Sequence, residues 1–152
     1  MGAAFFYHLT RQSVDQAMSM LLPKCLEQDW RVLVRGTDAK GLGRLDKALW
    51  TMDPDSFLPH AMAGGAHDDM QPILLAIEGV EVEHDCLMAV QSAAVTSDEV
   101  SARQRTMILF EAADDAQMAN ARAQWKALTD AGCSAQYWSQ ESGRWAKKAE
   151  KN

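Results

Sequence analysis

Cysteine is scarce: Cys25, Cys86 and Cys133 are the only three, far apart in sequence and odd in number. That count fits neither a disulfide framework nor a paired CxxC zinc site, and reduced thiols are expected. Long apolar runs are missing as well. No stretch approaches the roughly 18 consecutive apolar residues that signal a membrane-spanning helix. The opening MGAAFFYHLTR has no basic region leading into an apolar segment. Neither export nor anchoring is expected, and a cytoplasmic location is. Phe6 stands where a myristoylation motif requires Ser or Thr.

Positive charge is also short. Lys and Arg total 15 against 21 Asp and Glu, for a net charge of −6. That sign opposes coating of a phosphate backbone, so any association with DNA is expected to be indirect. What is present is ordinary: 152 residues, 47% hydrophobic and 24% charged. One domain with one core fits such a chain, and disordered or fibrous classes do not.

The order of elements follows from periodicity and punctuation. Ala3 to Leu9 is short, apolar and aromatic, a strand, and Ser13 with Gln16 three residues later has the spacing of a capping box. From Ser13 to Gln28, Val14, Ala17, Met18, Leu21, Leu22 and Cys25 recur at helical spacing, with Pro23 expected to kink or restart the helix. Arg31 to Arg35 reads as a strand, and Thr37-Asp38 as caps of a helix running to about Trp50. Ser56 to His60 is a short candidate strand. Pro72 to Ile77 and Cys86 to Val90 are strands joined by the acidic Glu78–Asp85 segment as hairpin or crossover. Ser97-Asp98-Glu99 opens a short helix, Thr106 to Phe110 is a strand, and Asp114-Asp115 begins a helix that Gly132 stops. Gln136 to Trp138 is the last expected strand. Such alternation predicts an α/β fold: a single three-layer domain, with a mostly parallel sheet and helices on both faces.

Catalytic and metal motifs are lacking. Gly36-Thr37-Asp38-Ala39-Lys40-Gly41 follows a strand and precedes a helix, yet Leu42 and Gly43 replace the Lys-Ser/Thr that a P-loop needs. Gly41-Leu42-Gly43 lacks the third glycine of a dinucleotide fingerprint. A small nucleotide-binding enzyme on a Rossmann-like fold therefore remains only as the alternative reading. His8, His60, His67 and His84 have no HxxxH or CxxC partner that would gather ligands on one side. They read as loop and surface residues, and no metal or other cofactor is expected. Cys86 and Cys133 read as structural thiols, and the absence of a GxSxG elbow or a spaced acid pair leaves no catalytic residue to name.

Two groups of residues do suggest surfaces. Arg122, Trp125 and Lys126 fall at i, i+3 and i+4 and share one helix face. Two cations beside an indole suit a short acidic peptide ending in an aromatic residue; the alternative is an amphipathic helix with Trp125 in the core. Trp50 and Phe57 bracket a turn and form either a partner-binding anchor or part of the packing of the second helix on the sheet.

These segments resemble, in order and over nearly the whole chain, the chi-subunit family of bacterial DNA polymerase III holoenzyme. The likeness is carried by Phe6-Tyr7-His8-Leu9, Arg31 to Arg35, Leu45-Asp46 to Leu49-Trp50, Asp53-Pro54 with Ser56-Phe57-Leu58-Pro59-His60, Gln71-Pro72-Ile73 and Trp125-Lys126 through Tyr137-Trp138. The Asp-Pro-x-Ser-Phe-Leu-Pro-His run is the most specific piece. The resemblance implies a non-catalytic adaptor of the clamp-loader assembly that links it to single-stranded DNA-binding protein during replication. It implies an α/β domain over 1–138, similar to mononucleotide-binding folds but without nucleotide chemistry, followed by a basic polar tail over 139–152. On this likeness the acidic C-terminal tail of single-stranded DNA-binding protein is gripped by Arg122, Trp125 and Lys126. Met118 stands where some members carry a further basic residue. Trp50 and Phe57 would meet the psi subunit or an equivalent clamp-loader partner, and a repair helicase in some members.

Overall fold

The computed structural model describes residues 2–51, 58–140 and 144–151. Its frame is an eight-stranded sheet in the order β3-β4-β2-β5-β6-β1-β7-β8. The strands are β1 (Ala3–Leu9), β2 (Val32–Gly36), β3 (Ala61–Met62), β4 (Ile73–Ile77), β5 (Cys86–Ala89), β6 (Arg105–Glu111), β7 (Ser134–Ser139) and β8 (Ala146–Lys151). All neighbours pair parallel except β7 and β8. Four helices complete the layers: α1 (Val14–Glu27), α2 (Ala39–Thr51), α3 (Ser97–Ala102) and α4 (Asp115–Asp130).

Because successive strand residues face opposite sides, the sheet supplies two cores. Tyr7 and Leu9 of β1 share one with Met18 and Leu22 of α1 and with Leu42 and Leu49 of α2. Ala4 and Phe6, one residue out of phase, pack with Val100 of α3 and with Ala121 and Leu128 of α4. Helices thus cover both faces, and the expected three-layer α/β architecture is observed.

Local signals act where the sequence places them. Ser13 and Gln16 form the capping box of α1, and Thr96 with Glu99 forms that of α3. Asp38 accepts from the N–H groups of Lys40 and Gly41 at 3.2 Å and caps α2. Gly132, at φ 92°, ends α4, with its N–H donating to Thr129 O and that of Cys133 to Leu128 O, both at 3.0 Å. Pro23 neither ends nor restarts α1, which runs unbroken over 14 residues. It lies on the exposed face, where water can reach a carbonyl left without its helical partner.

Of the two connections open for Glu78–Asp85, the crossover is observed: β4 and β5 each pair parallel with β2, on opposite sides of it. The Glu78–Asp85 connection crosses a face of the sheet, where Val80 and Val82 cover Leu33, Leu74 and Leu87. Pairing departs from the sequence reading at two other places. Near the candidate strand Ser56–His60, the strand is instead Ala61–Met62, residues 58–60 being non-regular and 56–57 outside the described residues. Finally, the 139–152 segment, read as a polar tail, contributes β8 antiparallel to β7. Its alternation is masked by four charged side chains in Ala146–Lys151, which suit an exposed edge strand.

Candidate functional site

α4 opens with Asp114, whose carboxylate accepts from the Gln117 N–H at 3.1 Å. Burial of Ala121 and Leu128 against the sheet sets the rotation of the helix and leaves Arg122 and Lys126 exposed, with Trp125 at the boundary between core and solvent. The indole meets Phe6 edge-on at 5.3 Å between centroids and Tyr137 at 6.2 Å. Such aromatic pairs contribute about 0.5–1.5 kcal/mol each beyond burial. Trp125 therefore anchors α4 and also presents ring surface to a groove.

That groove, of about 430 Å³, lies between α4 and the sheet edge. The sheet supplies Phe110 and Tyr137, α4 supplies Met118, Ala121, Arg122 and Trp125, and β8 supplies Lys148 and Ala149. Its aromatic side is held by a linked set: the Tyr137 hydroxyl lies 2.9 Å from His8 Nδ1, and the His8 ring stacks on Phe110 at 5.2 Å with a 9° interplanar angle. Among the described residues Arg122 has neither a hydrogen bond nor an ion pair from its guanidinium. An uncommitted bidentate donor beside a preformed apolar groove can take a carboxylate while an aromatic ring enters the groove.

Arg122 and Trp125 thus meet in one site, but Lys126 does not line it. Its ammonium donates to Asp130 Oδ2 at 2.8 Å, one turn along the same exposed face, and this carboxylate holds the Lys126 amine above its ordinary pKa. Met118 supplies apolar wall. Lys148 and Tyr137 were missed as site residues because a register on the other side of the groove places them. Arg144, Lys147 and Lys151 lie on or next to β8, and Lys147 is bridged to Glu150 at 3.1 Å.

The second surface divides the packing reading from the partner reading. Leu49 is buried and Leu45 packs on the core, whereas Trp50 is 47% exposed at the end of α2. Its ring lies over that of His60 at 4.2 Å. His60 is fixed by Leu58 O at 2.6 Å and Asp46 O at 3.0 Å, one on each ring nitrogen. Phe57 lies outside the described residues.

Where mononucleotide-binding folds hold phosphate, this chain holds its own side chain. Gln91 Oε1 accepts from the N–H groups of Thr37 and Asp38, both at 2.8 Å, and the Asp38 carboxylate accepts from those of Lys40 and Gly41, both at 3.2 Å. Four of the five N–H groups from Thr37 to Gly41, the kind that receive a phosphate at a helix start, are thus engaged within the chain. A Cβ at Gly36 or Gly41 would meet the end of the Gln91 side chain and push it away from these N–H groups. A larger hollow of about 490 Å³ beside Trp30 and Arg31 includes Asp29, Glu83 and Asp85 in its lining, the wrong sign for an acidic ligand.

His8, His60 and His84 are buried, not surface residues; each has a ring nitrogen within 2.9 Å of a backbone oxygen or the Tyr137 hydroxyl. Among the described residues no three His, Cys, Asp or Glu side chains gather as a metal site, and no helix is long and apolar enough to cross a membrane.

Comparison with curated proteins finds no match to the chain. The family model described as DNA polymerase III chi subunit, HolC, matches residues 1–136. The chain therefore belongs to the DNA polymerase III chi subunit family, whose members are replication accessory subunits of the polymerase III holoenzyme.

Proposed function

We propose that this chi-family protein links the clamp-loader assembly to single-stranded DNA-binding protein by holding the acidic C-terminal tail of that protein in the α4 groove. The observation that carries the reading is Arg122, exposed and without an internal partner among the described residues, beside the half-buried Trp125 indole. The guanidinium takes the tail's terminal carboxylate, and the groove lined by Trp125, Phe110 and Tyr137 takes its aromatic side chain. Lys126 contributes positive potential at the rim, reduced by its bridge to Asp130. Trp50, exposed at the end of α2, is the anchor for the psi subunit or an equivalent clamp-loader partner. The net charge of −6 supports contact with DNA through the coated protein in place of direct binding.

The test uses intact single-stranded DNA-binding protein and the same protein lacking its last residues. Calorimetry should show binding to the first and at least roughly tenfold weaker binding to the second, the loss of a charge-assisted contact together with its apolar partner. Equal affinity for the two would overturn the reading.

A further inference from the structure

We infer that Lys148, on the added edge strand β8, is the second anion-binding position of the α4 groove and reads acidic side chains upstream of the terminal carboxylate. This rests on the peptide-groove reading above and specifies which ligands the groove selects. Residues 137–152 lie beyond the family match, so the role of β8 has to be explained from the geometry of this chain.

The register does that. Tyr137 pairs with Ala149 and Trp138 with Lys147, which leaves Lys148 as an extra residue in a β-bulge. Paired residues on neighbouring strands share a face. Ala149 therefore joins Tyr137 on the α4 side, and Lys147 joins Trp138, which packs with the opposite core. Regular alternation would separate Lys148 from Ala149. The bulge lets these sequence neighbours both line the groove.

Charge bookkeeping points the same way. Lys126 and Lys147 are committed to Asp130 and Glu150, whereas Lys148 has no ion pair among the described residues. From α4, the groove receives Arg122 as its only cation, since Met118, Ala121 and Trp125 are apolar or aromatic. One guanidinium can satisfy one carboxylate bidentately. A ligand with further acidic groups needs another cation across the groove, and Lys148 supplies it.

Two probe peptides test this against the full chain. Both end in phenylalanine with a free carboxylate; one carries three upstream aspartates and the other asparagines in their place. Lys148→Gln should weaken the aspartate peptide about threefold to fivefold, in the range of a solvent-exposed ion pair, and leave the asparagine peptide unchanged. Lys147→Gln, on the other face, should change neither. Unaltered affinity of Lys148→Gln for the aspartate peptide, or equal weakening for both peptides, would overturn the role of Lys148. If the unsubstituted protein binds neither peptide, the groove reading itself fails.

Discussion

Replacing Arg122 by alanine should weaken binding of an acidic, phenylalanine-terminated peptide by about 1.5–3 kcal/mol, the worth of a hydrogen bond to a charged group, or roughly 10- to 150-fold. The side chain is exposed and has no hydrogen bond or ion pair among the described residues that its loss would disrupt. Alanine also favours a helix interior, so the variant should fold and melt as the parent does. Amidating the peptide's terminal carboxylate should cost a similar amount against the parent and little against Arg122→Ala, because the partner is already gone. Such coupling in a double-mutant cycle isolates the pair. If amidation costs as much with the variant as with the parent, the carboxylate is read elsewhere.

Arg35→Met should destabilise the fold by about 3 kcal/mol, the lower end for breaking a buried ion pair. Arg35, on the central strand β2, is 6% exposed. Its guanidinium donates to both Glu99 oxygens at 3.0 and 2.6 Å and to Ala94 O at 3.0 Å. Glu99 is also the capping-box residue of α3, so one contact joins the sheet to the start of that helix. The lower end of the range applies because Glu99 retains partial solvent access, with its side chain 20% exposed. Chemical denaturation would measure the loss, and a change under about 0.5 kcal/mol, the size of a neutral surface substitution, would contradict it.

The same pair sets a pH dependence. Burial pushes the Glu99 carboxyl up, but the Arg35 hydrogen bond and the Thr96 N–H outweigh it and hold the group below its ordinary pKa. A depressed carboxylate contributes stability that is present above its unfolded pKa and lost as pH falls through the folded value. The stability gap between the parent and Arg35→Met should therefore be full at neutral pH and shrink on acidification through the carboxylate range. A gap that widens on acidification would give the wrong sign.

Legibility in the sequence followed the range of the interaction. Ser13 with Gln16, Asp114 and Gly132 act within one or two helical turns, and each set a helix end as read. The i, i+3 spacing of Arg122 and Trp125 carries through to the folded helix for the same reason. The Lys126–Asp130 bridge has an equally local i, i+4 signature, and could have been found by counting carboxylates along that face. Non-local facts were not legible. The bulge that aims Lys148 depends on the register of β7 against β8, and the placement of β4 and β5 about β2 depends on strand order. The Gln91 amide at the start of α2 spans more than 50 residues, and no pattern around Gln91 announces it.

The central claim is that a docked acidic tail sits beside Trp125, and the indole N–H resonances of the isotopically labelled protein test it most directly. Titration with the free-carboxylate, phenylalanine-terminated peptide should move the Trp125 signal saturably and leave that of Trp50, on the separate α2 surface, in place. Movement of Trp50 with Trp125 unchanged would contradict the account.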